Sequence, residues 1–295
     1  MANSDNVYPN LFIIGAAKSA TTTLHEALSA QPSITMSSMK EPHFFSSLGD
    51  DYQTSRLIPT INRQDRYLRI FNFNERSLYV GESSTSYLWS PVAANNIFSY
   101  NSNSKIVAIL RNPVDRCLSH YWNNVKEGFE NRPIERALKE ELHGASMEKY
   151  RSPIYKYLEF GLYYHQISRY LQIFDKNVFV LIFEDFIQSM NETVVELLKN
   201  IKVPSGNIFV PNIHSNARGL PKHRVIESIL RIPSARRIYR GVFPQSIRQG
   251  IRSSIFKQVK QDKVSKFVLN FLLNYYQSDI DKLKTLYPAA SKWNQ

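Results

Sequence analysis

A single cysteine, Cys117, occurs in 295 residues, so no disulfide can close within the chain and a reducing compartment is the expectation. No glycine-, serine- or proline-rich linker, low-complexity tract or internal repeat divides the sequence, which favours one large domain over two small ones. Long apolar runs are missing too. The first run, residues 11–17, is too brief for a membrane span, and no basic segment precedes it as in a secretory signal. These absences predict a soluble, cytoplasmic protein with no transmembrane segment, and leave a peripheral membrane association open. No zinc-finger, RNP or helix-turn-helix signature accompanies the positive charge, which argues against nucleic acid as a partner.

What is present suits a folded domain with an anionic ligand. Hydrophobic residues make up 43% of the chain, enough for a substantial core. The net charge is +12, and residues 218–260 hold eleven lysines and arginines against Glu227 alone. Such a stretch attracts anionic lipid, an anionic polymer or an anionic small substrate, or is simply a solvated basic face.

Strand-like apolar runs alternate with helical patterns. Residues 11–14 stop at Gly15, and 21–30 follow as a helix with Leu24 and Leu28 at i, i+4 and Pro32 just beyond. Residues 77–81 (SLYVG) and 105–110 (KIVAIL) read as strands. Asn112-Pro113 then starts a helix with Leu118, Tyr121, Trp122 and Val125 on one face. Further on, 161–174 reads as an amphipathic helix and 178–183 (VFVLIF) as a strand covered on both faces. Residues 191–201 form a helix with Val194, Val195, Leu197 and Leu198 inward, and 264–286 a final helix. The pattern predicts an α/β fold with a central, mainly parallel sheet flanked by helices and a helical, basic C-terminal part.

Two segments carry chemistry. In "LFIIGAAKSATTTLHEALSAQP" a strand, a turn and a helix offer free backbone N–H groups at a helix N-terminus, where the dipole favours an anion. Lys18 adds a positive charge, and Ser19, Thr21, Thr22 and Thr23 add hydroxyl donors. An ATPase loop would place a glycine directly before the lysine; here Lys18 follows Gly15 by three residues. The alternative is an ordinary βα turn whose threonines cap the helix. In "KIVAILRNPVDRCLSHYWN", Arg111 ends a strand, where ligands bind in open α/β sheets, and Ser119 lies eight residues on. An arginine fork and a serine hydroxyl suit phosphate oxygens. A surface arginine paired with Asp115 is the alternative.

Together the two segments resemble the 5′-phosphosulfate and 3′-phosphate loops of PAPS-dependent sulfotransferases, PAPS being 3′-phosphoadenosine 5′-phosphosulfate. The likeness is to the carbohydrate (heparan-type) branch and its bacterial relatives, over residues 11–47, 78–121 and 157–203, with the tail "DIDKLKTLYPAASKW" also similar. It implies a P-loop-type three-layer fold and one domain over 1–295, with a core to about 215 and a helical extension beyond. It also implies PAPS as co-substrate, no metal, and a carbohydrate or small natural-product acceptor sulfated on a hydroxyl, less readily on an amine. Lys18 would contact the transferring sulfo group and bridging oxygen, Ser19, Ala20, Thr21 and Thr22 would cradle the 5′-phosphate, and Arg111 with Ser119 would hold the 3′-phosphate. Apart from the resemblance, Arg218, Lys222 and Arg224 follow the last core strand closely enough to close over that phosphate.

"KEPHFF", residues 40–45, resembles the family's E-x-H-F-F segment, which makes Glu41 the catalytic base with His43 as assistant or alternative. Without the resemblance, Glu41 is a loop carboxylate paired with Lys40 and His43 a packed histidine. Residues 128–152 are a candidate wall for the acceptor. Departures lie in "ESSTSYL", residues 82–88, where Ser83 replaces a lysine that reaches the acceptor and Thr85 replaces a proline. Ala20 stands where a glycine is frequent, a mild change if its φ is helical. Two rivals remain: a P-loop kinase or nucleotide hydrolase, with Glu184-Asp185 holding Mg²⁺ after "VFVLIF", and a non-catalytic module that grips an anionic polymer.

Overall fold

The apolar runs assemble into one parallel sheet. A computed structural model describes residues 8–49, 58–73, 77–145, 147, 150, 152–203, 219–221, 256–258 and 264–294. Its strands are β1 (Leu11–Gly15), β2 (Ile34–Met36), β3 (Tyr79–Ser83), β4 (Lys105–Leu110) and β5 (Val178–Ile182), in the spatial order β2-β3-β1-β4-β5. Every neighbouring pair is parallel. The chain runs outward from β1 to β2, returns through β3, and crosses to β4 on the other side of β1. The carboxyl ends of β1 and β4 therefore meet at the point where the winding reverses, which is where open α/β sheets bind ligands.

Side chains alternate across the sheet because successive Cβ atoms of a strand point to opposite faces. Phe12 and Ile14 enter one layer with α4 (Ala93–Tyr100), α5 (Pro113–Lys126), α7 (Tyr163–Phe174) and α10 (Lys266–Leu286). Leu11 and Ile13 enter the other with α1 (Thr21–Ser29), α8 (Phe183–Gln188) and α9 (Met190–Asn200). This is the expected three-layer arrangement. Three shorter or more peripheral helices complete the described α-helices: α2 (Gln64–Leu68), α3 (Ser86–Trp89) and α6 (Ile134–His143).

Several boundaries differ from the sequence reading. Strand β3 lies two residues later than 77–81, so Glu82 and Ser83 are inside it and fully buried. The short β2 has no counterpart in the apolar pattern. Strand β5 is an edge strand. Val178 and Val180 pack on one layer and Phe179 and Leu181 on the other, but none of the four is fully buried. On α5 the buried face holds Val114, Cys117 and Tyr121 together with the polar Arg116, His120 and Asn124, while Leu118, Trp122 and Val125 are only half-buried. Val195 of α9 is likewise half-buried, beside the buried Val194, Leu197 and Leu198. Residues 128–152 include α6 and a buried Glu130–Arg132 ion pair of 2.6 Å, so much of that segment is core structure.

The end of the chain closes on the sheet. Asp279 of α10 accepts the backbone N–H groups of Tyr163 (2.8 Å) and Tyr164 (3.2 Å), satisfying donors at the start of α7. Trp293 is buried and donates its indole N–H to Glu184 at 3.0 Å. Between residues 204 and 263 the described pieces are β6 (Gly219–Pro221) and β7 (Phe256–Gln258), an antiparallel pair. Arg218, Lys222 and Arg224 lie outside the described residues. Among the described residues no helix is long and apolar enough to cross a membrane.

Candidate active site

The loop from β1 to α1 begins at Gly15, whose missing side chain makes room for a neighbour: a Cβ there would sit 2.8 Å from Cβ of Leu88 on α3. Lys18 (φ 71°) and Ala20 (φ 61°) then take left-handed backbone conformations. For Ala20 the φ is not helical, so the condition for a mild change from glycine is not met, and the left-handed conformation costs roughly 1–2 kcal/mol in a residue with a Cβ. Ala20 is also the N-cap of α1 and gives no side-chain hydrogen bond. Among the described residues the first-turn amides thus receive no side-chain cap from the N-cap position, contrary to the reading in which a threonine caps an ordinary turn.

Arg111, just past β4, reaches this loop. Its guanidinium donates to the Lys18 carbonyl at 3.3 Å and lies 4.7 Å from the centre of the Phe183 ring, rather than pairing with Asp115. Its carbonyl accepts from Tyr163 Oη at 3.0 Å. Lys18 Nζ donates to Asn123 Oδ1 of α5 at 3.0 Å. Ser119 sits half-buried on the same helix. Asn112 caps α5, its Oδ1 accepting from the Val114 amide at 2.9 Å.

Two buried polar atoms here have no hydrogen-bond partner among the described residues: Oγ of Ser19, a fully buried residue, and Nε of Arg111. Buried polar groups are ordinarily paired. Orphan donors from both loops, beside Lys18 and a helix N-terminus that lacks a side-chain cap, fit an anion bearing several oxygens.

The segment after β2 brings the carboxylate. Glu41 (φ 60°) and His43 (φ 56°) are also left-handed, so the site holds four of the six non-glycine residues with positive φ among those described. Such strain persists only where surrounding contacts over-determine it. The Glu41 amide donates to the Ser83 carbonyl at 2.8 Å, and the His43 amide to Ser84 Oγ at 3.0 Å. Glu41 Oε1 pairs with Lys40 Nζ at 2.7 Å. Its Oε2 accepts from Thr85 N at 2.8 Å and Thr85 Oγ1 at 3.1 Å, and lies 3.6 Å from His43 Nε2. Burial pushes the Glu41 carboxyl up, but Lys40, His43 and the Thr85 amide together outweigh it and hold it below the ordinary carboxylate value. Burial lowers His43, Glu41 partly offsets this, and Lys40 lowers it further. His43 is bonded through Nδ1 to Ser86 Oγ at 2.8 Å.

Sequence reasoning missed three participants. Lys40 entered it only as a neutralising partner, yet it also donates to Thr21 Oγ1 on α1 at 3.4 Å. His25 is bonded through Nδ1 to Ser83 Oγ at 2.8 Å, and burial, then Lys40, push it down to about 4. Glu82 is fully buried beneath the site. It accepts from Tyr67 Oη at 3.1 Å, from Ser84 Oγ at 2.8 Å and from Tyr87 Oη, while burial pushes it up to about 7. The hydroxyl-rich run at 83–86 was the available signal.

Glu184 and Asp185 are occupied elsewhere. Glu184 accepts from the Asn112 amide at 3.1 Å as well as from Trp293, and Asp185 pairs with Lys292. They open α8 and fasten the C-terminal tail.

The family model described as Sulfotransferase domain matches residues 8–218. The chain belongs to the sulfotransferase family. A solved sulfotransferase from Alicyclobacillus acidocaldarius is 26% identical, with a TM-score of 0.73 over 98% of this chain and 99% of that one. The membrane-associated sulfotransferase kil1 of Dictyostelium discoideum is 29% identical over 137 residues, 46% of this chain and 27% of that protein. Human carbohydrate sulfotransferase 15 is 23% identical over 239 residues, 63% of this chain and 42% of that protein. The chain thus spans less than half the length of these two curated relatives. Within the sulfotransferase domain, the matched residues contain β1 to β5, the lysine loop, Arg111 and the Glu41 segment.

Proposed function

We propose that this sulfotransferase domain moves a sulfo group from PAPS to a hydroxyl, less readily an amine, of a carbohydrate or small natural-product acceptor. The observation that carries this reading is the convergence of two loops on one anion-seeking corner. The α1 terminus without a side-chain cap, Lys18 and the unpartnered Ser19 Oγ belong to one loop and the unpartnered Arg111 Nε to the other, joined by the bond from Arg111 to the Lys18 carbonyl, with Glu41 joined to α1 through Lys40.

Glu41, ionised and held by Lys40, Thr85 and His43, takes the proton of the acceptor hydroxyl as its oxygen forms the new bond to sulfur. Lys18 and the first-turn amides of α1 stabilise the charge that grows on the bridging oxygen as the old sulfur–oxygen bond breaks. The products are a sulfate ester and adenosine 3′,5′-bisphosphate. Ser19, Ala20, Thr21 and Thr22 cradle the 5′-phosphate through backbone and hydroxyl donors, while Arg111 and Ser119 serve the 3′-phosphate. His43, its Nε2 3.6 Å from Glu41 Oε2, assists Glu41 or serves as the alternative base. On this reading one domain comprises residues 1–295. The protein works in the cytoplasm.

The test is incubation with labelled PAPS and a fractionated extract of the source organism, read by mass spectrometry for gain of a sulfo group. Glu41→Ala should bind PAPS but not turn over; a variant that keeps full turnover refutes the base assignment. Transfer is expected to survive EDTA, whereas strict Mg²⁺ dependence favours the kinase reading.

A further inference from the structure

Lys40 stands between the two halves of the site. Its ammonium lies 2.7 Å from Glu41 Oε1 and 3.4 Å from Thr21 Oγ1, spanning the carboxylate and the first residue of α1. An ammonium has three donors, of which these contacts take two. Its side chain remains 24% exposed, and its ammonium makes no further hydrogen bond among the described residues. Strand β3 supplies no cation at this position, because Ser83 is buried and turned to His25.

We propose that Lys40 is a donor-sensing positioning residue, which fixes Glu41 by its ion pair and offers its remaining proton to the sulfo group of a phosphosulfate bound at the α1 terminus. The proposal rests on the donor reading above. A sulfo group on the α1 N-terminus adds negative charge on the Thr21 side of Lys40, and Glu41 adds it on the other. One cation then serves both charges and sets the distance between base and electrophile. A ligand that lacks the sulfo group leaves the third donor of Lys40 unused, so Lys40 contributes to recognition of PAPS and not of adenosine 3′,5′-bisphosphate. The charged and titratable groups that face Glu41 are Lys40, His43, His25 and Glu82, with Thr85 supplying two neutral donors.

The experiment needs no acceptor. Binding of PAPS and of adenosine 3′,5′-bisphosphate is measured by calorimetry for wild type, Lys40→Met and Lys40→Arg. The Glu41 carboxyl is titrated by ¹³C NMR in each, with Glu41→Gln providing the assignment. Lys40→Met should weaken PAPS about tenfold, as for loss of one charge-assisted hydrogen bond, with the bisphosphate unchanged within about twofold. Glu41 should titrate at higher pH in that variant, and Lys40→Arg should recover most of both effects. Equal weakening of the two ligands, undiminished PAPS binding, or an unmoved Glu41 titration overturns the proposal. Wild-type protein that binds neither ligand refutes the donor reading itself, an outcome distinct from the three before it.

Discussion

Glu82→Gln should make the protein more stable at pH 8 and leave it nearly unchanged at pH 5. The Glu82 carboxyl is fully buried and pushed up to about 7, chiefly by burial, with the Glu41 charge adding to the rise and the hydrogen bonds from Tyr87, Ser84 and Tyr67 opposing it. In the unfolded chain it ionises near 4.5. Between those two values the folded state binds a proton that the unfolded state has lost, so stability falls as pH rises through the window and levels off above the folded value. The product of the shift and about 1.4 kcal/mol per pH unit gives a loss of about 3.5 kcal/mol across the whole window, most of it between pH 5 and 8. Glutamine keeps the volume and an oxygen acceptor for the two tyrosines, and does not titrate. Glu141, also pushed up to about 7 by burial, contributes its own slope to both proteins and cancels in the difference. Glu41 is held low and stays ionised throughout. The assay is urea unfolding followed by tryptophan fluorescence from pH 5 to 8, comparing wild type with Glu82→Gln at equal m-value. The variant should gain on wild type by about 3 kcal/mol over that range. A difference flat to within about 0.5 kcal/mol would show that Glu82 is ionised at its ordinary value, and the buried-acid argument would fail.

Three other outcomes follow from the same geometry. Lys18→Ala should lower turnover about 10²–10³-fold with an unchanged circular dichroism spectrum, by loss of charge stabilisation at the leaving oxygen; a loss below about tenfold would remove Lys18 from that role. Ala20→Gly should raise the unfolding free energy by about 1 kcal/mol, since glycine takes the left-handed φ of 61° without strain; a drop in thermal midpoint would count against strain there. Trp293→Ala should destabilise by about 3–5 kcal/mol in denaturant titrations, because a 2% exposed indole and its bond to Glu184 are lost together.

How much could be read beforehand depended on whether a residue's role was local. Residues 11–14 and 106–110 are uninterrupted, buried apolar runs, so they were legible as strands, and the loops that follow them were legible with them. The ends of β3 were not, because Glu82 and Ser83 look like loop residues. What makes them strand residues is supplied from elsewhere, by Tyr67, Tyr87 and His25. The same holds on α5, where Arg116 is fully buried because its guanidinium finds the Tyr157 carbonyl and the His120 ring. A helical pattern counts only apolar side chains, so it placed the buried face one position off.

The two departures at Ser83 and Thr85 are where the structure adds most to the sequence. Read one residue at a time, they subtract a cation and a rigid turn from the acceptor side. Around Glu41 they have a different consequence. A proline at position 85 has neither an N–H nor a hydroxyl, so both bonds from Thr85 to Oε2 exist because the proline is absent. The cation on Oε1 comes from Lys40, next to Glu41 in sequence and opposite Thr21 in space. Pairing with Lys40 and service as a base were posed as alternatives for Glu41. In the folded chain they are compatible, since the ion pair keeps the carboxyl ionised at neutral pH and leaves its other oxygen in a defined hydrogen-bond geometry.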